Sequence, residues 1–134
     1  MNEAVISTRK AASQTRITKA VFPDKTNHHD TLFGGTALQW MDEASFISAT
    51  RFSRKRIVTV SSDRVDFEQP VPAGSVVELI ADVTEVGRTS LKVQVQVWVE
   101  SMYQDGRTMA ISGMFKFVAV DENMRPTPVL DSIV

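Results

Sequence analysis

Asn27-His28-His29-Asp30-Thr31-Leu32-Phe33-Gly34-Gly35, running without a break into Thr36-Ala37-Leu38-Gln39-Trp40-Met41-Asp42-Glu43-Ala44, is the stretch that decides the fold. A polar loop ends in a glycine pair and passes into a mostly apolar segment. From Leu38 the apolar Met41, Phe46 and Ala49, with the small Ser45 and Ser48 between them, repeat at helical rather than strand spacing. No proline follows until Pro70, so the spacing predicts a helix from about Gly35 to Phe52. The segment is apolar or small on most sides, as in a helix that is buried rather than laid on a surface. Asp42 is an acid in that setting and needs a reason to be there.

On the amino-terminal side, Thr15 to Phe22 alternates weakly and stops at the turn signal Pro23-Asp24, which reads as a first strand. Residues 1–12 read as a loose, flexible leader ahead of a single domain at 13–129. The serine and arginine content between Ser7 and Arg16 is faintly like a transit peptide, but the stretch is very short and merges into the domain. On the carboxyl side, Arg54-Lys55-Arg56 closes the helix, and Ile57 to Phe67 starts β-branched and ends alternating. Pro70-Val71-Pro72-Ala73-Gly74 is a turn cluster. Val77, Leu79, Ala81 and Val83 share one face of a strand. Beyond Gly87, Leu91, Val93, Val95, Val97 and Val99 form another apolar face, opposite Lys92, Gln94, Gln96 and Glu100, with Trp98 the exception. Asp105-Gly106 marks a hairpin, and a last strand from Thr108 to Val120 carries Ile111, Gly113, Phe115, Phe117 and Ala119 on one side. One strand, one long helix and four long strands predict an α+β fold, an antiparallel sheet wrapped on one helix, because no other element is available to cover the apolar face.

Bulk properties exclude several classes of function. A chain of 134 residues suits one domain. A net charge of −1 argues against nucleic-acid binding driven by counterion release, which needs a basic face. The chain has no cysteine, which removes disulfides, thiolate zinc sites and cysteine nucleophiles. No apolar run approaches the ~20 residues of a membrane span, and no signal-peptide core appears, so the expected location is cytoplasmic.

The chemistry centres on the loop and the helix. A helix amino terminus offers unpaired N–H groups and partial positive charge. Gly34 and Gly35 would let a ligand approach that backbone and form an oxyanion site, or would simply let the helix pack tightly. Asp42 lies seven residues beyond Gly35, about 10 Å along a helix. It is a general base, a nucleophile, or a solvated acid beside Glu43. Asn27 is an amide donor towards substrate, or a turn residue after Pro23-Asp24. His28-His29-Asp30 invites a metal reading, but contiguous side chains rarely converge on one ion, and no third-ligand spacing occurs elsewhere. No Gly-x-Ser-x-Gly elbow is present for a serine triad.

Pro23-Asp24, Asn27, Phe33-Gly34-Gly35, Met41-Asp42, Val58-Thr59-Val60 and Gly87-Arg88-Thr89-Ser90, in that order and on that architecture, resemble a hotdog-fold acyl-CoA thioesterase. The likeness is to the acyl-CoA hydrolase subfamily of brain-type and bacterial broad-specificity enzymes, and it spans about Ser13 to Val129. Phe33 stands where that family varies between phenylalanine and histidine, whereas His28-His29 is less typical of its loop. The resemblance implies hydrolysis of acyl-CoA to free acid and coenzyme A, with no cofactor and no metal. Asp42 would then be base or nucleophile, Asn27 would orient, and the Gly35 N–H would polarise the carbonyl. It also implies a dimer in which one subunit gives Asn27 and the other Asp42, and a hexamer as a trimer of dimers, with apolar faces such as Leu91 to Val99 left for further subunits to cover. Gly34 would bind substrate beside Gly35, Val60 and Ser61 would give backbone contacts to the pantetheine arm, and Arg88, Thr89 and Ser90 would lie near the nucleotide end. Arg54-Lys55-Arg56 is a second basic candidate, which the helix carboxyl terminus alone would explain. The alternatives are a hotdog domain that senses acyl-CoA without cleaving it, and an enzyme adding water to an enoyl-CoA. The second is disfavoured because the helix has no histidine.

Overall fold

The computed structural model describes residues 2–131 and contains two helices and five strands. In chain order these are α1 (Glu3–Ser13), β1 (Thr15–Ala20), α2 (Gly34–Ser53), β2 (Arg56–Phe67), β3 (Ser75–Val86), β4 (Ser90–Ser101) and β5 (Arg107–Val120). A short 3-10 turn at Pro23–Lys25 lies between β1 and α2. The strands form one antiparallel sheet in the order β1-β3-β4-β5-β2, and α2 lies across one of its faces. That is the sheet-on-one-helix arrangement the periodicity predicts. No helix among the described residues is long and apolar enough to cross a membrane.

Register explains how one helix suffices. Thr15 pairs with Ala81, Ala81 with Val95, and Val95 with Gly113, giving a row of modest side chains across four strands. The rows on either side carry Leu79, Val97 and Ile111, and Val83, Val93 and Phe115. The central row is therefore a trough, and α2 brings its own small residues to it: Ala44, Ser45, Ser48 and Ala49 are all fully buried. Burying serine requires partners. Ser48 Oγ donates to Ser13 O at 2.9 Å, and Ser45 Oγ to Asp42 O at 2.9 Å. Alternation on the strands supplies the rest of the core, with Phe52, Met41, Leu79 and Phe117 among the largest buried side chains.

Two expectations are corrected. Residues 1–12 are no loose leader: Met1 lies outside the described residues, but α1 begins at Glu3. Asn2 Oδ1 caps it, accepting from Ala4 N at 2.8 Å and Val5 N at 3.3 Å. The helix docks through Arg9 Nη1 on Phe52 O (2.8 Å) and Lys10 Nζ on Thr84 O (3.0 Å). The apolar face from Leu91 to Val99 is also not left for other subunits. Leu91, Val93, Val95 and Val97 are at most 1% exposed, because this is the face that α2 covers within one chain. The outward face instead carries Lys92, Gln94, Gln96 and Trp98. The Trp98 ring lies under Arg107, with 4.9 Å from the guanidinium carbon to the ring centroid. This is how an aromatic residue sits on the polar side of β4.

Near the carboxyl end of α2, Lys55 Nζ donates to Asp131 Oδ1 at 2.6 Å. That hydrogen bond, then the Lys55 charge, lowers the exposed Asp131 carboxyl from its ordinary value. Because the folded value is the lower one, the pair contributes its stability above the ordinary carboxylate range and loses it as pH falls through the folded value. NMR titration of the Asp131 carboxyl is expected to give a midpoint below the usual carboxylate range, moving up towards it in Lys55→Gln. The trough gives a second prediction. A Cβ at Gly113 would lie 3.0 Å from Val65 Cγ2 and 3.1 Å from Met41 Cε. Gly113→Val is expected to cost about 1–3 kcal/mol by overpacking, read by denaturant unfolding at fixed protein concentration.

Candidate active site

The amino terminus of α2 is open. Its N-cap residue is Phe33, whose side chain has no acceptor to offer, and the first backbone bond into the helix is Ala37 N to Phe33 O at 2.9 Å. The N–H groups of Gly34, Gly35 and Thr36 therefore have no acceptor among the described residues. A Cβ built at Gly35 would meet nothing within 4 Å, so the backbone there faces free space. Three donors and the positive end of a 20-residue helix dipole point the same way.

Two turns further on, Asp42 is half-buried and Glu43 exposed. β2 supplies the partner for Asp42: Thr59 Oγ1 donates to Asp42 Oδ1 at 3.1 Å. Oδ2 has no partner among the described residues and is free to act on a ligand. Gly35, Leu38, Gln39, Asp42, Thr59 and Val60 line a groove of about 450 Å³ that continues over Ser61 and Ser62. The expected Gly35, Asp42, Val60 and Ser61 thus meet in one place.

Asn27 lies elsewhere. Its turn is fixed by Asn27 N to Thr31 O (2.8 Å) and Asp30 N to Asn27 O (3.0 Å). Asp30 takes a positive φ of 59°, which aspartate tolerates better than most residues. Leu32 N to Val71 O and Ala73 N to Asp30 O pin the loop to the β2–β3 connection. Asn27 shares a groove of about 280 Å³ with Gly34, Thr31, Phe67 and Ile111, and Asp42 does not line it. The glycine pair is where the two grooves diverge, Gly34 facing one and Gly35 the other.

Arg88, Thr89 and Ser90 line neither groove. They form the β3–β4 turn, where Gly87 N donates to Ser90 O at 2.7 Å, Ala119 N to Thr89 O and Val129 N to Arg88 O. Of the other basic candidates, Lys55 is engaged with Asp131, and Arg54 ends α2 in the left-handed conformation (φ 55°). The exposed His28 and His29 rings lie tilted at 43° with centroids 3.8 Å apart, and no group of three potential metal ligands occurs among the described residues. Thr59, which entered the family likeness only as part of Val58-Thr59-Val60, was given no part in the expected site, although it is the residue that donates to Asp42. Its signal was the alternation of β2, which puts Thr59 on the same face as the buried Ile57.

Known proteins are similar to this chain in sequence and fold. A model of the thioesterase superfamily matches residues 29–105, more than half of the chain. A Zymomonas mobilis protein named as an uncharacterised acyl-CoA thioester hydrolase is 37% identical over 118 residues, 88% of this chain and 79% of that protein. An acyl-CoA hydrolase from Staphylococcus aureus, solved with butyryl coenzyme A and coenzyme A, superposes with a TM-score of 0.86 at 33% identity, over 90% of this chain and 74% of that one. It has also been solved with an aspartate, a threonine or an asparagine replaced by alanine, the asparagine variant in complex with coenzyme A. An acyl-CoA thioesterase solved as an apo hexamer superposes with a TM-score of 0.87 at 37% identity, over 90% of this chain and 78% of that one. With its five-stranded sheet wrapped on α2, this chain belongs to the thioesterase superfamily and has the hotdog fold.

Proposed function

We propose that the protein hydrolyses acyl-CoA to a free carboxylic acid and coenzyme A. The observation that carries this reading is the open amino terminus of α2 in one groove with a carboxylate held by Thr59. Thioester hydrolysis needs both parts. Negative charge develops on the carbonyl oxygen, and preorganised N–H donors there are commonly worth a few kcal/mol of barrier. The Gly35 N–H is the donor that the free space around it leaves accessible.

Asp42 acts through Oδ2, since Thr59 holds Oδ1. As a general base it takes a proton from water while the water oxygen bonds to the carbonyl carbon. The C–S bond then breaks, and the thiolate leaves and is protonated. As a nucleophile Oδ2 itself bonds to the carbonyl carbon and the C–S bond breaks, expelling the thiolate; water then cleaves the mixed anhydride, freeing the acid and Asp42, and its proton goes to the thiolate. Both routes consume one water and yield acid and thiol. Asn27 donates from its side-chain amide to the thioester carbonyl or to the attacking water, and Val60 and Ser61 flank the pantetheine arm. Arg88, Thr89 and Ser90 are kept as the nucleotide end, on the family likeness alone.

Asn27 and Asp42 of one chain line different grooves, which favours a site shared between two chains. Apolar exposure supports it: Phe33, Val60 and Phe67 are each about half exposed around the two grooves, and Val60 and Phe67 lie on the edge strand β2. A homodimer is therefore the smallest active unit, and a hexamer is the assembly we expect. A substrate bearing several phosphate charges does not cross membranes unaided, which favours the cytoplasm.

Thiol release from short to long acyl-CoAs tests the activity. Asp42→Asn is expected to lower kcat by about 10²-fold or more while acyl-CoA still binds. Binding without release by the intact protein would leave an acyl-CoA sensor. Mixing Asn27→Ala and Asp42→Ala subunits, each strongly impaired alone but with measurable residual release, is expected to restore release, with about one site in four intact, if the site is shared by two chains. For Thr59→Val, removal of the donor to Asp42 Oδ1 is expected to lower kcat by about 10-fold with KM nearly unchanged, measured in the same assay.

A further inference from the structure

We propose that Thr31 is a positioning residue for Asn27, its hydroxyl adding the third hydrogen bond that holds the side-chain amide with its nitrogen presented to substrate; this rests on the hydrolase reading. Asn27 Oδ1 receives three hydrogen bonds, from His29 N at 2.9 Å, Thr31 N at 3.3 Å and Thr31 Oγ1 at 3.2 Å. Two of these donors are backbone N–H groups, which cannot accept. The side of the amide facing them has to be the oxygen, because a flipped amide would set its NH2 against two N–H groups. Nδ2 is thereby turned the other way, and it has no acceptor among the described residues. A polar donor with no partner, on an amide that cannot flip, is available to a ligand.

Thr31 is placed to do this. It lines the same groove as Asn27 and is half-buried. Its own backbone is anchored twice, accepting from Asn27 N at 2.8 Å and bridging to Pro72. The hydroxyl is thus delivered to Oδ1 from a fixed frame, and it is the only one of the three donors that a substitution can remove without altering the backbone. Valine matches threonine in shape, so Thr31→Val deletes the O–H and little else.

The test is a double-mutant cycle read by thiol release from one acyl-CoA. Thr31→Val is expected to lower kcat by about 3–10-fold with KM within about twofold, the scale of one neutral hydrogen bond. Thr31→Ser is expected to keep most of the activity, since it retains the hydroxyl. In the Asn27→Ala background, Thr31→Val is expected to have no further effect. An equal loss in both backgrounds would assign Thr31 a structural or substrate-contacting role and overturn the inference. So would an unchanged kcat in Thr31→Val, or a serine variant as impaired as valine. If Asn27→Ala itself releases thiol at the parent rate, Asn27 has no catalytic role and the inference falls with it, while the Asp42 arm still reports on the hydrolase reading.

Discussion

One helix has to cover one face of five strands, and the rest of the molecule answers to that constraint. A 20-residue helix reaches about 30 Å, enough to cross the sheet but too narrow to bury it unless the two come close. Closeness is achieved by subtraction. Ala44, Ser45, Ser48 and Ala49 are buried on the helix, and the sheet carries a row of Thr15, Ala81, Val95 and Gly113, with Ser48 Oγ 3.5 Å from Ala81 O and Met41 reaching over Gly113. The larger Leu79, Ile111 and Phe115 stand in the rows on either side. Serines in such a place are tolerable only because each hydroxyl finds a carbonyl, as Ser48 does on Ser13.

The same constraint shapes the site. A helix buried along its length has its ends at the margin of the sheet, and the two ends are finished differently. At the carboxyl end Arg9 brings a cation to Phe52 O, and Arg54 closes the last turn in the left-handed conformation. At the amino end a phenylalanine stands where a capping side chain usually would, and three N–H groups stay open. The fold thus gives partners to Thr50 O and Phe52 O at one end of its central helix and leaves the donors open at the other.

Much of this was legible in the sequence, for a reason of period. Alternation of two along Leu91 to Val97 and a repeat near 3.6 from Leu38 onward each point to one element type, and the element order left only one packing. Asp42 and Gly35 were legible because an acid and a glycine pair stand out in an apolar helix. What was not legible depended on pairing. That Leu91 to Val97 is the face α2 covers, rather than one left for other subunits, follows from the strand order β1-β3-β4-β5-β2. Helix α1 was hidden because Ser7, Thr8 and Ser13 read as loop, although Asn2 followed by Glu3 is a proper helix start. For Thr59, alternation along β2 gives its face, but its hydrogen bond to Asp42 depends on β2 passing beside α2, which spacing along one strand cannot show.

The strand order also sets a sequence of events in time. β2 carries Thr59 and lines the groove of Asp42, yet its only neighbour in the sheet is β5, with Arg56 opposite Val120 and Phe67 opposite Ile111. During synthesis the helix with its carboxylate, and then β2, leave the ribosome well before β5 exists. β3 and β4 can pair as a hairpin at once, whereas β2 must wait as an unpartnered strand until the last one arrives. The β2 wall of the groove therefore cannot be seated in the sheet before β5 is made, and a chain stalled ahead of β5 has its acid without a paired strand beside it.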